Sequence, residues 1–373
     1  MSRAFLCYIE YMYTVMDYLD WRGDLDFSSS PFNEVDALIL SELAYVEMDT
    51  VFHNGMSVEE LCHAYEEAGI DQGDFMFDPY PLLQKASQTV RFGRLKLHNY
   101  VNRIRSREEI QFSAVTFTDK AKRRFIAFRG TDSTLTGWRE DLYLALDSAV
   151  ASQKAAVQYA EKNAGKAKEI VLCGHSKGGN LAVYAAAYCS DELYERISAV
   201  YSLDGPGFPD NVPVDAEKRG IGLKTAHFIP EASLVGILMN GIGERIIIRS
   251  SNLSFLQHNP YSWSVQYTCF ERGEKQTAFA AYVETVLDHW LEELPIEQRK
   301  KFIDTVFDAL EATGAQSVQD IQQSPVKTFL SFMDELRRSD PELQQNISAV
   351  LKELSSTGLD ELKEAFDSRI RRQ

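Results

Sequence analysis

An α/β architecture is what the 373-residue sequence predicts: a mostly parallel central sheet flanked by helices, followed by a helical C-terminal region. Three observations carry that expectation. Short apolar runs recur at regular intervals between residues 169 and 250, divided by helices or loops. The stretch "LCGHSKGGNL" (172–181) sets one serine among glycines where a strand gives way to a helix. Beyond about residue 272 only Gly273, Gly314 and Gly358 remain, and apolar residues fall at helical spacing.

Taken in chain order, residues 34–49 read as an amphipathic helix, with Val35, Leu38, Ile39, Glu42 and Tyr45 tracing one mostly apolar face. Residues 57–69 form a second short helix that ends at Gly69. "QFSAVTFTD" (111–119) and "RRFIAFRG" (123–130) pair as strands joined at Asp119–Lys122, and residues 137–163 are largely helical. Four buried-type strands follow: "EIVLCG" (169–174), "ISAVYSLDG" (197–205), "LKTAHFIP" (223–230) and "RIIIRS" (245–250). Strands alternating with helices imply a mainly parallel sheet covered on both faces. The division expected is a domain over residues 1–271, with an N-terminal helical segment, and a helical region over 272–373. In the latter, Ser324-Pro325 and Asp340-Pro341 place an N-cap before an N1 proline. Stripes such as Phe302, Val306 and Leu310, or Val326, Phe329, Leu330 and Met333, need a surface to cover them. That surface is the first domain or a second copy of the chain.

Composition narrows the partners. Hydrophobic residues are 45% of the chain, enough for a sizeable core, and the formal net charge is −16. Such an acidic balance argues against nucleic acid and against electrostatic docking on anionic lipid. The five cysteines (Cys7, Cys62, Cys173, Cys189 and Cys269) are odd in number and scattered, and no CxxC occurs. That suits a reducing compartment, here the cytoplasm, and no zinc site or cofactor is expected. No signal peptide and no apolar span long enough for a membrane are read from the sequence.

The serine carries the chemistry. Gly174, Ser176 and Gly178 fit G-x-S-x-G, with Gly179 next. "EIVLC" before it is a buried-strand run and "NLAVYAAAYCSDEL" after it is helix-like. On such a turn the glycines let backbone approach closely and the serine Oγ stands out as a nucleophile. A serine nucleophile needs a base, and the base needs an orienting acid, in the chain order Ser, then Asp or Glu, then His. Of seven histidines, His53, His63 and His98 precede the serine, His175 abuts it, His227 lies inside a strand and His289 lies in the helical region. His258, in "FLQHNPYSW" just after the last strand, remains as the base. Two strand-end carboxylates stand between serine and histidine, Asp204 before the turn "GPGF" and Glu231 in "IPEAS". Asp204 is favoured because it is shorter and its turn is stiffer, with Glu231 as the alternative. The oxyanion donors are the backbone N–H groups of Lys177, which follows the serine, and Thr131, which follows "AFRG" at the end of an earlier strand.

"AFRGTDSTLTGWREDLYLA" followed by "VLCGHSKGGNLAVYAA" resembles the class 3 lipases of the α/β-hydrolase fold. A closer resemblance is to the bacterial lipase-like group called Mbeg-like. It lies in "YLDWRGDLDFSSSPFNEVDALILSELAY", "YSLDGPGF", "IPEASLVGILM" and "QHNPYSW", spanning roughly residues 15–270. The resemblance implies Ser176 as nucleophile, His258 as base and Thr131 with Lys177 as oxyanion donors. One departure stands out: class 3 lipases carry their aspartate in a D-x-V-P stretch, and the matching stretch here is "SLVG", with Ser233 in that place. The acid is then Asp204 or Glu231, or the triad is incomplete. The function expected is ester hydrolysis of lipase or esterase type on a small-molecule or lipid ester. The alternative is a hydrolase-fold interaction module with little or no turnover.

Overall fold

The computed structural model describes residues 12–70, 78–105, 110–131, 150–209, 211–252, 254–278 and 296–312, with isolated positions at 139, 143, 280, 281, 284 and 314. Four helices come first: α1 (Val15–Arg22), α2 (Glu34–Leu43), α3 (Val58–Ala68) and α4 (Tyr80–Ser87). The sheet follows, with β1 (Lys96–Arg105), β2 (Ile110–Thr118), β3 (Arg124–Phe128), β4 (Ile170–His175), β5 (Ile197–Leu203), β6 (Thr225–Pro230) and β7 (Glu244–Ile248). Between these strands lie α5 (Ala151–Asn163), α6 (Lys177–Tyr188), α7 (Asp191–Arg196) and α8 (Asn211–Arg219). A two-stranded ribbon, β8 (Val265–Gln266) with β9 (Cys269–Phe270), and the helix α9 (Ile296–Ala312) complete the described elements.

The seven strands lie side by side in chain order. β1, β2 and β3 pair antiparallel, and β3 to β7 run parallel. This mixed sheet, layered between helices, is an α/β-hydrolase fold. Right-handed crossovers between parallel strands laid down in sequence order carry their helices to one face. Accordingly α5, α6, α7 and α8 share one core cluster with Ile126, Phe128, Ile170, Leu172 and Val200. The alternate residues of the same strands, Phe125, Ala127, Val171 and Cys173, point the other way. There they need a cover from elsewhere in the chain, and α1 to α4 supply it.

Several expectations are refined. The helix expected over 34–49 stops at Leu43, where the Ala44 N–H bends back to Glu42 and Leu40. Nor is it amphipathic: every residue from Val35 to Leu43 is buried, so α2 is a core helix rather than a surface one. The helix over 57–69 is α3, capped by Ser57 and closed by Gly69 at φ +59°. Strand β1 is not among the expected strands, and α1 and α4 add two helices with no expected bounds to the expected N-terminal helical segment. The helical stretch expected over 137–149 and the helices beyond residue 314, with Val326, Phe329, Leu330 and Met333, lie outside the described residues apart from single positions. Among the described residues of α9, Ile303 and Phe307 are buried. Arg139 binds Asp304 and reaches Asp308 at 3.1 Å, and Tyr143 also bonds Asp304. Among the described residues no helix is long and apolar enough to cross a membrane.

Candidate active site

Ser176 sits between the fully buried β4 and the N-terminus of α6, at φ +57° and ψ −134°. A non-glycine residue there stores strain of about 1–3 kcal/mol, which the surroundings must hold. Two contacts explain the flanking glycines. A Cβ on Gly174 would run into the Gly178 backbone, and one on Gly178 would run into the Phe128 carbonyl. The end of β3 thus lies directly against the turn. Gly130 continues that contact, since a Cβ there would stand 2.7 Å from the His175 oxygen and 3.1 Å from Ser176 Cβ. Thr131 follows at once, and Lys177 opens α6 on the other side of the serine.

The C-terminal ends of the parallel strands bring the remaining groups in. In register, His175 pairs with Leu203 and Leu203 with Phe228. The Ser176 N–H donates to Leu203 O at 2.9 Å, and the Asp204 N–H donates to Phe228 O at 2.8 Å. Asp204 is also left-handed, at φ +51°, and fully buried. Its Oδ2 accepts from His258 Nδ1 at 2.7 Å, and His258 Nε2 lies 3.0 Å from Ser176 Oγ. Serine, histidine and aspartate therefore form one continuous hydrogen-bonded line. Burial pushes the His258 imidazole below the ordinary histidine value, while the Asp204 bond works against that shift and the neighbouring His175 adds to it.

Ser233, which stands in the stretch that resembles the aspartate segment of class 3 lipases, donates its hydroxyl to Asp204 Oδ2 at 2.7 Å. The Gly236 N–H donates to Oδ1 at 3.0 Å. The loop after β6 thus holds both oxygens of the Asp204 carboxylate. Glu231 is elsewhere: its carboxylate lies against Gly273, and burial, with Glu271 and Glu274, raises its pKa against the pull of Arg249. His227 holds Gly205 O at 2.9 Å and is pushed down to about 4 by burial.

Supports that the sequence reading missed surround this line. Gln257 accepts from the Ala232 N–H at 2.7 Å and its carbonyl receives Trp263 Nε1 at 2.7 Å, which fixes the histidine loop. Asn180, one turn into α6, donates to Pro206 O and Gly207 O, and its own oxygen takes Gln153 Nε2 at 2.9 Å. The turn after Asp204 is thereby tied to the nucleophile helix. The signal for Gln257 and Trp263 was their place in the motif "QHNPYSW"; Asn180 had none beyond its place after the glycines.

A family model described as Mbeg1-like matches residues 86–308, well over half of the chain. The match begins later than the sequence resemblance and runs on through most of α9. No curated protein sequence matches. Among solved structures, the one entitled "An unusual buried polar cluster in a family of fungal lipases" is 13% identical, with 65% of this chain and 84% of that chain covered at a TM-score of 0.40. M37 lipase is 14% identical over 55% of this chain and 68% of that chain, at 0.35. The Rhizomucor miehei lipase propeptide complex is 19% identical over 41% and 57%, at 0.32.

Proposed function

The chain belongs to the Mbeg1-like family, and we propose that it is a serine hydrolase that cleaves an ester through an acyl-enzyme. The reading rests on one observation: Ser176 Oγ, the His258 ring and Asp204 Oδ2 share a single hydrogen-bonded line, buried at the C-terminal edge of the sheet. In this mechanism Ser176 Oγ attacks the ester carbonyl as His258 Nε2 takes its proton. Asp204 accepts Nδ1–H throughout, which selects the tautomer with its lone pair on Nε2 and stabilises the imidazolium that forms. The new oxyanion accepts N–H bonds from Lys177 and Thr131, helped by the positive end of α6. His258 then protonates the departing alcohol. Water, deprotonated by the same nitrogen, releases the acid and restores Ser176.

Ser233 in the place of the class 3 aspartate and the long helical tail favour the alternative, an interaction module with little or no turnover. The Ser233 hydroxyl donates to Asp204, which supports a working triad in spite of that departure. A fluorophosphonate probe should label the wild type and leave Ser176→Ala unlabelled. Labelling of both to the same extent, or of neither, would sink the proposal.

A further inference from the structure

The two left-handed members of the Ser176–His258–Asp204 line meet at one glycine. Ser176 is at φ +57° and Asp204 at φ +51°. Gly205 follows Asp204, and its Cα faces the serine turn. A Cβ there would stand 2.9 Å from Ser176 O, 3.0 Å from Asn180 N and 2.7 Å from Ser202 Oγ. The turn that carries the acid is therefore seated on the turn that carries the serine, closer than a side chain at 205 allows. A histidine outside the line holds it there. His227, in β6 and opposite Ser202 in register, is buried, and its Nε2 is 2.9 Å from Gly205 O. A carbonyl oxygen carries no proton, so Nε2–H donates. Gly241 lies against the other nitrogen, since a Cβ on it would stand 2.8 Å from Nδ1. Burial pushes the His227 imidazole down to about 4, against the Gly205 bond and the Asp204 charge, and Arg245 adds to the shift. The ring is thus neutral at physiological pH, with its one proton on Nε2.

We propose that His227 is a positioning residue: by holding Gly205 O it seats the acid's turn on the serine turn, and so fixes the Asp204 carboxylate where it meets the His258 ring. The effect on rate rests on the hydrolase reading, and the seating rests on geometry alone. Asn180 holds the far end of the same turn, at Pro206 O and Gly207 O, while His227 holds the end next to Asp204. A shift at that end lengthens the bond from His258 Nδ1 to Asp204. The titratable groups facing His258 are Asp204, His175 and, 3.2 Å from His175 Nδ1, Glu42. Burial lowers the His258 pKa and His175 lowers it further, while the Asp204 bond and the Glu42 charge raise it. A longer Asp204 bond therefore lowers it again, which a plain loss of stability would not do.

The rate of fluorophosphonate inactivation against pH tests the effect on the reaction. His227→Leu removes the donor and should slow inactivation about 100-fold, the scale of a small misplacement of a catalytic group, with its acid limb moved to lower pH. His227→Gln sets an amide N–H near the place of Nε2 and should stay close to the wild type in both rate and limb. Gly205→Ala keeps His227 but sets a methyl against Ser176 O. It should behave like the Leu variant, and it decides the matter where that variant does not fold. Leu or Ala variants as fast as the wild type, a Gln variant as slow as they are, or slowed variants with an unmoved acid limb would overturn the proposal. Proton NMR tests the seating without any turnover. The His258 Nδ1 proton, bonded to Asp204 at 2.7 Å, should resonate far downfield in the wild type and in His227→Gln, and move upfield in His227→Leu and Gly205→Ala. An unmoved signal in those two would also overturn it. A wild type that takes no probe, but whose downfield proton moves in these variants, would sink the hydrolase reading and its rate effect, and leave the seating by His227 standing.

Discussion

Asp204 is held by three donors of different origin: the His258 ring, the Ser233 hydroxyl and the Gly236 N–H. Removing its charge while keeping its shape tests its role. Asp204→Asn should slow inactivation by the probe by about 10⁴-fold, because an amide favours the wrong imidazole tautomer. Glu231→Gln should change little, since that carboxylate lies against Gly273 instead; the reverse ranking would move the acid one strand on. Ser233→Ala removes one hydrogen bond to a charged group, a loss of about 1.5–3 kcal/mol, so roughly a tenfold to hundredfold fall is expected. The pH dependence of the base follows from the sign of its shift. In the proposed mechanism His258 acts when neutral, and burial lowers its pKa in the folded protein. Activity should therefore persist below the ordinary histidine value and fall only as the pH drops through the lowered one. An acid limb centred above about 6.5 would contradict that direction.

The elements that carry these residues are themselves anchored by polar contacts. The first three helices each begin with a capping box, Thr14 with Asp17, Asn33 with Asp36, and Ser57 with Glu60. Asp36 has a second duty. It accepts Arg91 Nε at 2.7 Å and Tyr18 Oη at 2.8 Å, and both members of its ion pair with Arg91 are wholly buried. Arg91 also donates to the carbonyls of Leu25, Ser30 and Pro31, and stacks over Phe27 at 4.4 Å. One guanidinium thereby ties the 23–33 loop and α2 to the turn after α4. Arg91→Met would leave the Asp36 carboxylate buried without its counter-charge, a loss of about 3–5 kcal/mol. The urea midpoint should fall accordingly; a midpoint unchanged from wild type would mean the cluster is incidental.

At the scale of the whole molecule, the sheet has two covers of different origin: helices strung between its own strands on one face, and α1 to α4 on the other. We propose that the C-terminal helices dock on this body and supply no catalytic group. The burial of Ile303 and Phe307, with Arg139 paired to Asp304, supports that reading. A chain ending near residue 271 should lose solubility or change its oligomeric state, while any soluble fraction still takes the probe at Ser176. A stable, well-behaved truncation that cannot be labelled would show that the helices help to build the site. What the sequence determined by itself was local and covalent in origin: the strand–turn–helix around Ser176, the helix over 57–69 closed by Gly69, and the hairpin at Asp119–Lys122. Each follows from neighbours a few residues apart, where glycine, capping and period-2 or 3.6 patterns act directly. Only the tertiary structure shows that Asp204, and not Glu231, lies against His258, because both end adjacent strands and the histidine loop returns over the first of them. Only it made Ser233 a partner of the acid, and only it showed why Glu42 breaks an otherwise apolar helix face. That glutamate lies 133 residues before His175, and no local pattern spans such a distance. The two meet because parallel strands laid in order leave one sheet face open, and α2 is the helix that closes it.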